Sequence, residues 1–250
     1  MLQSSLQGRD FYMNKYLFII IFCLGFNSWA QNEDLALTVE RDDIVAIRKL
    51  IISQKITVDE KVRNEEPIIV TAARAGAEKI TQYLIALNVK LNALNAYRES
   101  ALMMAVFFAD SENSNSHEIH DRIAKALVEA GANLENELWW TPLTYAAHAG
   151  RQEMVEYLIA KGALINGPLV NNITPVNTPL MMATMEGHYS VAHYLLIKGA
   201  NPHIKNKNGD TAYSFAEKYN EKKILKDLKC AMELAPNESF LQKCTDSVTL

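Results

Sequence analysis

Short apolar stretches bounded by turn residues recur along most of the chain. The most complete copy, Thr141–Ala163, begins with Thr-Pro-Leu and small residues, turns at Gly150, and continues through a second apolar stretch to Gly162. Thr is suited to cap a helix, and the Pro that follows it loses no helical hydrogen bond at the first position. Gly favours the left-handed conformation that ends a helix. The pattern predicts a helix-turn-helix unit.

The unit repeats in a register that can be followed along the chain. The positions equivalent to Thr141 are Pro67, Ser100, Thr178 and Thr211. The five positions are spaced by 33, 41, 37 and 33 residues. A truncated unit precedes them, with helices expected at Leu35–Val39 and Asp42–Ile51. The second helix of the last unit, Glu221–Leu228, carries lysines on a face expected to meet solvent. Units of this length stack and bury one another's apolar faces.

The Thr-Pro-Leu origin, the paired small residues and the Gly187-His188 turn resemble ankyrin repeats. The resemblance covers about residues 34–228 and implies an all-α solenoid of five to six helix-turn-helix repeats with short β-turn fingers. The sequence departs from the pattern where Ala109 and Asn220 replace the Gly that ends the first helix. A polar insert, Ala109–Glu118, is expected to separate the two helices of the third unit, with the second resuming at Ile123.

The first thirty residues predict an export signal. A positive start at Met13-Asn14-Lys15 precedes an apolar run of eleven residues, and the small residues Ser28 and Ala30 precede a cleavage point before Gln31. The run is too short to span a membrane, so no stable anchor is expected. The predicted domains are therefore a signal peptide (1–30), an ankyrin-repeat domain (31–229) and a C-terminal tail (230–250). The predicted location is the periplasm, and a minor cytoplasmic pool and the choice of start between Met1 and Met13 stay open.

Two cysteines remain after such cleavage, Cys230 and Cys244, and both follow the last repeat. An oxidising compartment would favour a disulfide between them that ties the tail to the last helix. Two free thiols in a tail are the alternative, and the sequence leaves both open.

Charge and motifs limit the chemistry. The formal net charge of −4 disfavours nucleic acid as a partner. The sequence contains no nucleophile elbow, phosphate loop or His-Glu-x-x-His motif, so we expect a protein that is not an enzyme and needs no cofactor. His117 and His120 are three residues apart rather than four, and we expect both to be solvated at the end of the insert, with no metal site.

The resemblance implies that partners bind along the finger tips and the exposed ends of the first helices. Carried over by register, these candidate positions are Arg74, Tyr97, Arg98, Phe107, Phe108, Leu138, Trp139, Trp140, His148, Asn177, Met185 and Glu186. Two aromatic pairs from adjacent repeats, Phe107-Phe108 and Trp139-Trp140, predict an aromatic patch of the kind that anchors interfaces. Alternatively, Phe107 and Phe108 pack under the insert and Trp139 packs against the next hairpin.

An exported ankyrin-repeat protein of this size resembles those encoded beside type VI secretion effectors, including phospholipases. That resemblance implies an immunity protein, monomeric on its own, which forms a heterocomplex with a secreted toxin or lipase effector and occludes it. Two other functions stay open. One is a periplasmic stress-protection or assembly factor of the kind that accompanies catalases, and the other is a secreted effector directed at a host.

Overall fold

The computed structural model describes residues 34–108, 114–136, 140–169, 173–174, 176–234 and 238–244. Within these ranges the chain forms six successive pairs of α-helices, one further short α-helix and a 3-10 turn at Arg63–Glu65. The pairs are α1 (34–40) and α2 (Ile44–Ile52), α3 (Ile68–Ala75) and α4 (Glu78–Ala86), α5 (Ala101–Phe107) and α6 (Ser114–Glu129), α7 (Pro142–His148) and α8 (Gln152–Ala160), α9 (Pro179–Met185) and α10 (Tyr189–Ile197), α11 (Ala212–Lys218) and α12 (Lys222–Met232), and the further helix is α13 (Phe240–Cys244). The predicted helical solenoid is confirmed.

The predicted register positions begin the first helix of each repeat. At four of these positions a side-chain hydroxyl accepts a hydrogen bond from the backbone N–H three residues later, at 3.2 to 3.3 Å. The four are Ser100, Thr141, Thr178 and Thr211. Pro67 stands at the same place before α3 without a side-chain cap. These hydrogen bonds satisfy one donor at each helix start, which explains why the repeat opens on Ser or Thr.

The turns between paired helices require a left-handed residue. Gly150 has φ +68°, and a Cβ there would lie 2.6 Å from the His188 ring of the next repeat, so only glycine fits. In the last repeat Asn220 adopts φ +59° at the matching place. Asn tolerates this conformation better than most residues, so the departure noted in the sequence preserves the turn. The other departure, Ala109, lies outside the described residues.

The helices form two layers around a continuous core. The first helices of successive repeats pack side by side from α3 through α5, α7 and α9 to α11, and each also packs against the second helix of its own repeat. Paired alanines make the first layer compact, and every one of them is buried: Ala72, Ala73, Ala146 and Ala147. Because Ala presents only a Cβ, neighbouring helices approach closely and the larger apolar side chains fill the space between layers.

Fingers connect one repeat to the next. Bridges pair Lys61 with Pro67 and Leu94 with Ser100 in antiparallel orientation. Two two-residue strands, β1 (Ile173–Thr174) and β2 (Lys205–Asn206), pair in parallel. Pro67 and Ser100 are also the residues that precede α3 and α5, so these fingers stand beside the starts of first helices. The fingers and the first helices together form one face of the array.

The third repeat differs from the sequence expectation. The second helix does not resume at Ile123, because α6 begins at Ser114 and continues for 16 residues. The expectation that His120 is solvated is also wrong, since the residue is 5% exposed. Its Nε2 lies 3.1 Å from the carbonyl oxygen of Arg74 in the preceding repeat. His117 stays partly exposed, with Nδ1 at 3.7 Å from a carboxylate oxygen of Asp121.

Polar side chains at the start of the second helices bind successive repeats together. His188 Nε2 hydrogen-bonds to the carbonyl oxygen of His148 at 2.9 Å, across the boundary between the fourth and fifth repeats. Arg151 takes the matching place in the fourth repeat and donates from Nη1 to the carbonyl oxygen of Val106 at 2.7 Å. Together with His120, these residues satisfy carbonyl groups near the C-termini of short first helices, where no intrahelical donor remains.

The C-terminal residues join the array. Helix α12 extends to Met232, and α13 packs against α12 and α10, so the segment predicted as a tail begins inside a helix. A disulfide links Cys230 to Cys244, with Phe240 and Cys244 both buried. The lysines at 222, 223 and 226 are exposed, as expected for the face that ends the array.

We predict that reduction of this disulfide releases α13. A five-residue helix is not stable alone, and few buried side chains hold it otherwise. Hydrogen exchange followed by mass spectrometry should show backbone amides of residues 240–244 exchanging like those of an unfolded peptide in the Cys230→Ser variant, while α9 keeps its protection. Unchanged protection of α13 in that variant would contradict the prediction.

Candidate functional site

Aromatic side chains from two adjacent repeats meet on the face formed by the fingers and the first helices. We call Phe107, Phe108, Trp140, Tyr145 and His148 the aromatic cluster. Tyr145 lies between the predicted pairs, with its ring centroid 5.5 Å from that of Phe107 and 5.2 Å from that of Trp140. His148 stacks on Phe107 at 6.1 Å and lies 5.4 Å from Trp140. The structure therefore places Phe107 and Trp140 in one cluster.

The cluster is accessible from solvent. Phe107 is 38% exposed and Phe108 is 43% exposed, and their rings meet edge to face at 5.1 Å. The described part of the insert, residues 114–118, forms the first turns of α6. Large aromatic rings that stay open to solvent at the centre of an array are typical of protein-binding surfaces. Leu138 and Trp139 lie outside the described residues.

Tyr145 is a member of the cluster that the sequence did not single out. Its hydroxyl donates to Oε1 of Glu99 at 2.8 Å, across the boundary between the third and fourth repeats. Burial and the adjacent Glu99 carboxylate raise the pKa of Tyr145 well above its usual value, so the phenol stays protonated and remains a donor. Tyr145 lies inside the first helix of its repeat, where a core residue is also expected. The sequence therefore does not distinguish a binding residue from a core residue at this position.

His148 connects the cluster to the fifth repeat. Its Nδ1 lies 3.4 Å from Oε1 of Glu186, and both residues are candidates from the sequence. Met185 precedes Glu186 at the end of α9 and packs partly against the core. The cluster and its neighbours therefore extend over the third, fourth and fifth repeats.

Two further candidates lie beside the cluster in a groove of about 470 Å³. Tyr97 rises from the finger of the third repeat and is 79% exposed. Arg74, at the end of α3, pairs with Glu66 at 2.6 Å. Phe107 and Phe108 form another wall of this groove, so the structure joins four of the candidate residues in one concave site.

The remaining candidates lie apart from the aromatic cluster. Arg98 has φ +63° at the finger tip and borders a smaller recess, where its carbonyl accepts a hydrogen bond from Asn136. Asn177 accepts a hydrogen bond from Asn206 at 2.8 Å and is half-buried. Its amide connects neighbouring fingers, so its position serves the architecture of the array.

Across the described ranges, no group of three or more His, Cys, Asp or Glu side chains is arranged to hold a metal ion. None of the helices within those ranges is both long and apolar enough to cross a membrane.

Comparisons with known proteins agree with this architecture. A family model described as ankyrin repeats matches residues 116–206 in three copies. The chain is 33% identical over 116 residues to the human ankyrin repeat and KH domain-containing protein 1, and it spans 4% of that protein's length. It is 36% identical over 143 residues to an ankyrin repeat protein of Rickettsia felis, with 56% of this chain and 57% of that protein covered.

A solved structure extends the similarity beyond the matched repeats. The crystal structure of an ankyrin repeat domain from Acinetobacter baumannii AYE superposes with a TM-score of 0.63 at 27% identity, covering 80% of this chain and 97% of that one. The helix pairs, the capped helix starts, the left-handed turns and these similarities agree. The chain contains ankyrin repeats and folds as an ankyrin-repeat solenoid.

Proposed function

We propose that this protein is an exported immunity protein that binds a secreted antibacterial toxin and occludes it. Ankyrin repeats are protein-interaction modules, and the aromatic cluster is the observation that supports a binding role for this array. Phe107 and Phe108 stay 38% and 43% exposed although they lie beside a well-packed core. Exposed rings of this size are stabilised when a partner covers them.

The placement of the cluster favours a protein partner over a small molecule. The cluster and its neighbours span three repeats, and charged groups such as Glu186 and Arg74 surround the rings. An aromatic centre within a polar rim is the usual anatomy of a protein interface. A partner that covers this face would lie across the concave groove and both adjacent fingers, which is the arrangement expected of a blocking inhibitor.

The compartment is inferred from the sequence and the cysteines. The N-terminal thirty residues have the pattern of a cleavable export signal. Disulfides persist in oxidising compartments such as the periplasm, and Cys230 and Cys244 are bonded. A toxin that acts in the periplasm would have to be neutralised in the same compartment, and the resemblance to proteins encoded beside phospholipase effectors suggests the class of toxin.

The proposal predicts a toxin gene beside this one, and co-expression of the two genes tests it. The full chain should restore growth to a bacterial host that exports the toxin, and the purified pair should form a complex of one copy each. A variant that lacks residues 1–30 should fold but give no protection, because it stays in the cytoplasm. Equal protection by that variant would contradict the periplasmic site of action, and failure of the purified pair to associate would contradict the immunity function.

A further inference from the structure

The groove beside the aromatic cluster combines aromatic walls with carboxylates. Tyr97, Phe107 and Phe108 line it, together with Glu66 and Glu99. The two phenylalanine rings meet at an interplanar angle of 86°, so one presents its face where the other presents its edge. The faces of such rings carry partial negative charge and attract cations.

The charges in the groove are not balanced. Glu66 pairs with Arg74 at 2.6 Å, and Glu40 faces Arg63 at 3.9 Å. The third carboxylate, Glu99, is contacted by neutral donors: the Tyr145 hydroxyl reaches Oε1 at 2.8 Å, and the Asn95 amide nitrogen reaches Oε2 at 3.0 Å. Within the described ranges no Lys, Arg or His forms an ion pair with Glu99.

The neighbouring contacts hold Glu99 in place. Asn95 accepts hydrogen bonds from the backbone N–H groups of Tyr97 and Glu99, at 3.0 and 2.9 Å, so the finger has a fixed conformation. Tyr145, in the fourth repeat, holds the Glu99 carboxylate in place through its hydroxyl. A half-buried anion is therefore preorganised beside three aromatic rings, and a cation could bind there without rearranging the finger.

We propose that this groove binds an arginine side chain of the protein partner, an inference that rests on the proposed function. A planar guanidinium can stack on an aromatic face while donating to a carboxylate, and it loses less hydration than an ammonium group does. An acidic side chain would be repelled by Glu99, and an aliphatic one would cover that carboxylate without supplying a cation. Arg63 and Arg74 do not compete, because both already face carboxylates.

A short peptide tests the groove without the natural partner. Nuclear magnetic resonance titration of the chain with acetyl-Gly-Arg-Gly-amide should shift the signals of Asn95, Tyr97, Phe107 and Phe108, with a dissociation constant on the order of 10 mM. The same peptide with citrulline, which has a similar shape but no charge, should leave these signals in place. Glu99→Gln should weaken binding of the arginine peptide about fivefold or more.

Two further variants separate the groove from general electrostatic attraction. Glu65→Gln removes the same charge from an exposed position on the neighbouring finger and should not change binding. Phe108→Leu keeps an apolar side chain but removes the ring face, so it should weaken binding even if Glu99→Gln disturbs the finger. Equal shifts with the citrulline peptide, or equal losses in Glu99→Gln and Glu65→Gln, would overturn the proposal.

This result is independent of the toxin experiment. Selective binding of the arginine peptide together with failure of the toxin complex would leave the groove as an arginine site and reject the immunity function. A toxin complex together with no arginine selectivity would retain the immunity function and reject the groove.

Discussion

Arg151→Met should lower the free energy of unfolding of this array by about 3–5 kcal/mol. The Arg151 side chain is 3% exposed, forms an ion pair with Asp121, and donates to the carbonyl oxygen of Val106. Burial lowers the pKa of Arg151 and the Asp121 carboxylate opposes that shift, so the pair is stable only while both partners are present. Removing the guanidinium leaves a carboxylate and a carbonyl without their donor at the boundary between the third and fourth repeats.

Urea denaturation followed by circular dichroism measures this effect. The matched control is Arg122→Met, which removes the pair between the exposed Arg122 and the partly exposed Glu78 and should lower the free energy of unfolding by about 1 kcal/mol or less. The double variant Arg151→Met with Asp121→Leu should recover much of the lost stability, because it no longer buries an uncompensated charge. A double variant no more stable than Arg151→Met alone would show that the charge pair is not the source of the effect.

Most of the fold could be predicted because each repeat signals its own boundaries. Thr141 and Thr178 cap helices through local hydrogen bonds, and Gly150 and Gly187 end them through backbone conformation. Such signals depend on neighbouring residues in the chain, so they can be read without knowing the tertiary contacts. Stacking of the repeats then follows from the regular spacing.

The third repeat shows where local signals do not predict the helix boundaries. The start of α6 contains Ser116 and His117, and a polar run of this kind resembles a loop. His120 lies on the same helical face as Ile123 and Leu127. Because histidine is polar, the apolar periodicity of this face is not apparent at position 120. His120 is buried because it hydrogen-bonds to a carbonyl 46 residues earlier, and that partner cannot be identified from local sequence.

The candidate site was predictable in part because the repeats share one register. Register identified Phe107, Trp140 and His148 as positions on one face, since each repeat places equivalent residues alike. Register did not predict the hydrogen bond between Tyr145 and Glu99 of the neighbouring repeat, because that bond depends on the directions of the two side chains. The groove is formed by two fingers together with helices α1, α3 and α5, so its charge balance could not be predicted without the three-dimensional arrangement.

Loss of the Trp140 side chain should weaken partner binding by about thirtyfold or more, equivalent to roughly 2 kcal/mol. Trp140 contacts Tyr145 and His148, so its removal takes a large ring from the cluster and loosens two of its neighbours. Because Trp140 is half-buried, the variant must first be shown to melt cooperatively and to retain its helical content. Phe108→Ala, at a more exposed position, should weaken binding with less effect on the fold.

The most direct measurement compares the two surfaces of one array by isothermal titration calorimetry with the purified toxin. The account predicts a large loss of affinity for Trp140→Ala and Phe108→Ala, and near wild-type affinity for the double variant Lys222→Glu, Lys226→Glu, whose side chains are exposed on the last helix pair. Abolished binding in the lysine variant, with both aromatic variants binding like the wild type, would contradict the account and place the partner at the end of the array.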